Sequence, residues 1–173
     1  NKKGYNRTVG SGGSYQLSES YLTNGTGAIP ESEMPFENNE NTIDISQIQN
    51  KTVSSQVYDT ILFPNYSKAD DDEKTNIMNQ IKQHIQNYGS VQASVHGNSS
   101  SSTFNCYNNE TGAKYCNTTV MHPTDHAVSV IGWDDNYSVD NFPEEAKPTA
   151  NGAWIVRNSW GEKSEEWKIS ELK

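Results

Sequence analysis

The sequence predicts an α+β fold, and three observations carry that expectation: a turn-rich first third with only a brief helix, one long amphipathic helix near the middle, and short strand-like segments after it. A short helix is expected from Ser14 to Leu22, with Ser14 as N-cap, Tyr15, Leu17 and Tyr21 on one face, and Asn24-Gly25 as a left-handed stop. Gly25, Gly27, Pro30 and Pro35 then mark turns. Val53, Val57, Tyr58, Ile61, Leu62 and Phe63 make 52–63 an extended piece that ends at Pro64. The long helix covers 71–88, where Ile77, Ile81, Ile85 and Tyr88 fall on one stripe; Asp70, Asp71, Asp72 and Glu73 favour its amino end and Gly89 ends it. Val91, Ala93 and Val95 alternate as in a half-buried strand, and further strands are expected at 127–133 and 152–157. Between those two lies an acidic loop of about eighteen residues, long enough to be an insertion.

Length and charge narrow the function classes. With 173 residues and 32% hydrophobic content, the chain suits one ordinary domain with a lean core. The formal charge of -9, without a Lys/Arg cluster, argues against a nucleic-acid partner. No apolar run approaches the roughly 18 residues of a membrane span, and no secretory-type leader is visible. Low hydropathy with high charge can accompany disorder, but four Trp, nine Tyr and four Phe are anchors for a folded chain.

Chemistry-bearing residues gather late in the chain. His84 lies beside the apolar stripe and His96 closes a strand, so both read as structural. His126 differs: it follows Asp125 and opens the apolar run Ala127-Val128-Ser129-Val130-Ile131-Gly132, a rigid support for an imidazole at a cleft edge. Further on, Gly152-Ala153-Trp154-Ile155-Val156-Arg157 runs into Asn158-Ser159-Trp160-Gly161. An Asn side-chain oxygen can accept an imidazole N–H and set its tautomer, and a neighbouring Trp can shield that bond from water.

At DHAVSVIGW and GAWIVRNSWG the chain resembles the papain-like cysteine peptidases, in the order of that family's histidine and asparagine motifs. GGSYQLSESYL, GAIPESEMPF and IKQHIQNYGSVQASVHG extend the resemblance over most of the chain. It implies a two-lobed papain-like fold, with 1–65 as the remainder of a helical lobe and crossover and 66–173 as a β-rich lobe. His126 is then the general base and acid, Asn158 its orienting residue and Trp160 the shield, with Asp125 as structural support. Gly12 and Gly13 resemble the glycines whose backbone meets an extended substrate, and Thr124, Val91 and Ala93 contribute to a side-chain pocket. The expected partner is a polypeptide substrate, with no cofactor and no metal. The form is closest to bacterial members, many secreted or surface-attached, so an extracellular or cell-surface location is expected.

The family's nucleophile is not in this chain. Its Cys precedes its His by about 130–150 residues, which places it upstream of Asn1, and the Gln-Gly-x-Cys-Gly-x-Cys-Trp pattern is absent here. A missing upstream segment of the same protein is therefore an expected partner, and the last strands of the β-rich lobe are expected to be short or missing. Cys106 and Cys116 are poor substitutes; their spacing suits a disulfide-closed loop, with free thiols the alternative. Asp134, Asn136, Ser138, Asp140 and Glu145 match offsets of a calcium loop, but Val139 stands where its Gly belongs, so a solvated surface loop is favoured. Eight Asn-x-Ser/Thr sequons are present, and composition alone accounts for about half of such a number in an Asn-, Ser- and Thr-rich chain. The main expectation is a cysteine-type peptidase working through a thioester. The alternatives are a non-catalytic peptidase-like scaffold, and a transferase or amidase of the same geometry.

Overall fold

A computed structural model of the chain describes residues 12–25, 27–35, 45–97, 100–101, 104–116, 124–159 and 167–169. The chain divides into two units, Asn1–Leu62 and Phe63–Lys173. Its mixed helix and sheet content agrees with the α+β expectation.

In the first unit, helix α1 (Tyr15–Leu22) forms where the sequence placed it. Ser14 flanks it in an extended conformation, but its side chain makes no cap; its carbonyl instead accepts the Leu17 and Ser18 N–H groups. At the other end the Thr23 N–H and hydroxyl both donate to the Glu19 carbonyl, at 2.8 and 2.7 Å. Tyr15, Leu17 and Tyr21 are exposed. Helix α2 (Ile45–Gln49) is a single turn or so in a polar stretch without a legible period. The expected extended piece at 52–63 is not a strand: Ser55 bridges Ala28, and the segment has no further ladder among the described residues. An extended backbone becomes a strand only where a partner supplies successive hydrogen bonds. Accordingly Tyr58, Ile61 and Leu62 stay exposed.

The second unit begins with a 3-10 turn (Tyr66–Lys68) and helix α3 (Asp71–Tyr88). A capping box starts α3: Asp70 Oδ1 accepts the Glu73 N–H at 2.9 Å, and Glu73 Oε2 accepts the Asp70 N–H at 3.2 Å. Gly89 ends it at φ 100°, a conformation that a side chain would strain, with its N–H on the Ile85 carbonyl at 2.8 Å. Ile77, Ile81 and Ile85 are buried as the stripe predicts. Tyr88 is not: it is 74% exposed, and its ring lies 4.7 Å from that of His84. The stripe is buried only as far as the apolar cluster beneath it reaches, and that cluster ends at Ile85.

Strand β1 (Val91–Val95) follows, then a small hairpin of β2 (Ser100–Ser101) and β3 (Phe104–Asn105), then β4 (Ala113–Lys114), β5 (His126–Asp134), β6 (Ala153–Arg157) and β7 (Trp167–Ile169). The main sheet runs β1-β5-β6-β7-β4, antiparallel except for the parallel β4/β7 edge. Val95, Val128, Val130, Trp154 and Val156 face the isoleucines of α3 and form the core. Simple alternation along β5 breaks at Ile131, because the pairing shifts from Val130↔Val156 to Gly132↔Ile155. This bulge reverses the parity, so that Trp133 lies opposite Trp154 and packs on the same core as Val128 and Val130.

The acidic insertion is more than a solvated loop. Its charges are outside, with Lys147 bridging Glu144 at 2.7 Å and Asp140 at 3.4 Å, yet Phe142 is 2% exposed against Ala113 and Ala153. The oxygen ligands of the calcium template serve local turns: Asp134 Oδ1 accepts the Asn136 N–H, and Ser138 Oγ accepts the Asp140 N–H ahead of the 3-10 turn Val139–Asn141. Among the described residues no group of three or more His, Cys, Asp or Glu is placed to hold a metal ion.

Replacing Ile81 with Ala should lower the unfolding free energy by about 2–5 kcal/mol, the usual cost of a core cavity. Tyr88→Ala should cost less than about 0.5 kcal/mol, as for an exposed site. Denaturant unfolding of both variants checks the two values, and equal losses would contradict the burial boundary at Ile85.

Candidate active site

Pairing of β5 with β6 decides which side chains meet. The last pair in register is Ser129↔Arg157, so Asn158, one residue on, falls beside Val128, and His126 lies two residues further along β5. Both side chains project from the face that carries Val128, Val130 and Val156, at the end of the core. There His126 Nε2 and Asn158 Oδ1 are 2.8 Å apart. Asn158 is buried, whereas His126 is only half-buried.

Asn158 Oδ1 also accepts the N–H of Ser159 at 2.8 Å. That second bond fixes the amide orientation, since a flipped amide would set N–H against N–H. With an oxygen facing the ring, Nε2 must be the donor. The neutral imidazole is therefore the Nε2–H tautomer, and Nδ1 carries the lone pair that can take a proton. Asn158 Nδ2 is buried with no hydrogen-bond partner among the described residues, so the amide is held from its oxygen side.

Asp125 sits next to the imidazole in sequence but turns to the backbone. Its Oδ1 accepts the Gly97 N–H at 2.5 Å, its own N–H donates to the Val95 carbonyl at 3.2 Å, and His96 Nδ1 lies 3.7 Å from the carboxylate. The Gly97 N–H, with help from His96, holds the Asp125 carboxyl below the ordinary aspartate value of 3.8. Behind this turn is a residue to which the sequence reading assigned no role: Lys114, 3% exposed, whose Nζ donates to the carbonyls of His96 and Gly97. Burial pushes its pKa down to about 8, partly offset by Asp125. The only trace of this in the sequence is a lysine set between Ala113 and Tyr115 in an otherwise small and aromatic stretch.

The other expected residues are placed as follows. Val91 and Ala93 are half-buried against the core, Ala93 opposite Val128 in the β1/β5 ladder. Thr124 is exposed. Gly12 and Gly13 precede α1, and a Cβ added at either would meet nothing within 4 Å. Trp160 lies outside the described residues. Cys106 and Cys116 form a disulfide with Cα atoms 4.9 Å apart, so neither offers a thiol.

His126 and Asn158, expected from the sequence as a histidine-asparagine pair, thus meet in a hydrogen bond at one end of the β5/β6 pairing. The family model for papain family cysteine proteases matches residues 3–168, and the chain belongs to that family. It is similar to the clostridial cysteine protease Cwp84 solved after propeptide cleavage, at 31% identity and a TM-score of 0.78 over 98% of this chain and 39% of that one. It is also similar to the cysteine protease and lectin-like domains of Cwp84, a surface layer associated protein of Clostridium difficile, at 31% identity and a TM-score of 0.77 over 98% of this chain and 35% of that one. The chain thus spans less than half of either structure. Comparison with curated proteins finds no match.

Nitrogen-15 spectra of the histidine rings should show neutral His126 as the Nε2–H tautomer, and Asn158→Ala should remove that preference. Titration of the carboxyl groups should place Asp125 below 3.8. Because its folded-state value is depressed, its contribution to stability is present above the unfolded value and is lost as pH falls through the folded one. Unfolding of Asp125→Asn should therefore lose this part of the acid dependence.

Proposed function

We propose that the chain is part of a secreted or surface-attached bacterial cysteine peptidase that cleaves polypeptides through a thioester, with His126 and Asn158 as two members of its catalytic triad. The observation that carries this reading is the 2.8 Å bond between His126 Nε2 and the buried Asn158 oxygen, which presents Nδ1 as the base. The thiolate comes from a cysteine outside residues 1–173, because both cysteines here are joined to each other.

Neutral His126 takes the thiol proton at Nδ1, and the resulting thiolate, paired with the imidazolium, attacks the scissile carbonyl carbon. His126 then gives a proton to the leaving amine, and takes one from the water that hydrolyses the thioester. Asn158 keeps the ring in one orientation through both steps, as a carboxylate does in serine hydrolases. Trp160 shields the pair, Asp125 supports the adjoining turn, Gly12 and Gly13 receive the substrate backbone, and Thr124, Val91 and Ala93 border the side-chain pocket. Likeness to Cwp84, a surface layer associated protein, supports the location.

Residues 1–173 alone should neither hydrolyse peptides nor react with a thiol-directed peptidase inhibitor. In the intact protein His126→Ala should lower kcat by about 10²–10⁴-fold, and Asn158→Ala should lower it less. Inhibitor labelling of Cys106 or Cys116 together with peptidase activity would overturn the assignment. Peptide binding without turnover by the intact protein would favour a peptidase-like scaffold, and turnover restricted to non-peptide amides an amidase or transferase.

A further inference from the structure

Lys114 is a buried cation for which the peptidase chemistry has no direct use. Its backbone is tightly held: β4 pairs with β7 at Lys114↔Ile169, Lys114 bridges Tyr107 on the other side, and the Tyr115 N–H donates to the Cys106 carbonyl at 2.9 Å. The Cys106–Cys116 disulfide closes this loop two residues beyond the lysine. From that mount the side chain reaches the carbonyl oxygens of His96 and Gly97, just past the end of β1.

The 96–97 turn is therefore gripped from two directions. Lys114 takes its carbonyls, and Asp125 takes the Gly97 amide. Gly97 in turn lies directly against the imidazole-bearing residue: a Cβ built on it would be 2.7 Å from His126 Cβ, closer than side chains tolerate, and 3.2 Å from His126 Cγ, a tight contact. Gly97 is thus a wall for His126, and glycine is required because the space a Cβ needs is already occupied. An ammonium gives charge-assisted bonds to both carbonyls, which are stronger than neutral ones. Desolvation of Lys114 is the cost, and it is seen in a pKa pushed down to about 8.

We propose that Lys114 is a positioning residue for His126, holding the His96-Gly97 turn so that the Gly97 backbone seats the imidazole in line with Asn158. The functional consequence rests on the reading of His126 as the catalytic base, but the geometric claim does not.

Nitrogen-15 spectra of the His126 ring in residues 1–173 test it without any need for turnover. Lys114→Met keeps the length of the side chain and removes the ammonium. It should shift the ring resonances and speed exchange of the Nε2 proton with water by about tenfold or more. Lys82→Met, on α3, should leave them unchanged, and Lys114→Arg, which keeps charge and donors, should restore much of the wild-type spectrum. A folded Lys114→Met chain with wild-type ring resonances overturns the proposal. Should that variant not fold, Gly97→Ala decides: it keeps the Lys114 contacts and must move the ring, and an unmoved ring overturns the proposal. In the intact protein Lys114→Met should lower kcat by about tenfold or more with KM nearly unchanged. If the ring moves in both variants while the intact protein hydrolyses nothing, positioning is upheld and the peptidase reading is lost. If the ring stays still while His126→Ala abolishes hydrolysis, the reverse holds.

Discussion

Antiparallel pairing of β5 with β6 brings together two side chains thirty-two residues apart, and the geometry of the site follows from its register. Slipping either strand by one residue would turn His126 or Asn158 to the opposite face and break the 2.8 Å bond between them. The register is anchored by burial: Val128, Val130, Trp154 and Val156 lie on the same face as the pair and pack under α3. Hydrophobic packing thereby specifies the position of a polar contact. The bulge at Ile131 lies away from the His126 end of β5, so it re-aims Trp133 without disturbing His126.

A second layer of control is polar and local. Asn158 Oδ1 receives two N–H donors, from the imidazole and from Ser159, which removes the ambiguity of an amide that could otherwise face either way. Leaving Nδ2 buried with no bond among the described residues is costly, roughly 1–3 kcal/mol for an unsatisfied polar group. The two bonds to Oδ1 offset part of that cost and hold the amide in one orientation. Lys114, Asp125 and the 96–97 backbone repeat the pattern one step back: the ammonium bonds the His96 and Gly97 carbonyls and the carboxylate bonds the Gly97 N–H, beside His126.

Loops outside the sheet are recruited to this frame rather than appended to it. Asn108 Nδ2 and Thr111 Oγ1 both donate to the Asn141 carbonyl, at 2.9 and 2.5 Å, joining the disulfide loop to the acidic insertion. Phe142 completes the junction, with the rings of Tyr137 and Tyr115 at 5.6 and 6.4 Å. Lysine 82 ties α3 to the same region, at 2.6 Å from Asp135 and 5.4 Å from the Trp133 ring centroid. Short polar contacts of this kind contribute little singly when exposed; the buried aromatic residue gives the insertion its fixed position.

Much of this was legible in the sequence, because periodicity and capping are local. Ile77, Ile81 and Ile85 with Asp70, Glu73 and Gly89 determine α3 by themselves, and the apolar runs around Val128 and Val156 determine two strands. His126 and Asn158 could be named because each opens or ends such a run. Tertiary structure decided what depends on a partner. Whether 52–63 joins a sheet, how far the α3 stripe stays buried, and which face Trp133 takes after the bulge are set by neighbours distant in the chain. Lys114 was silent for the same reason: nothing within a few residues of it reveals the His96 and Gly97 carbonyls, and only the fold brings a charge to meet them at a buried position.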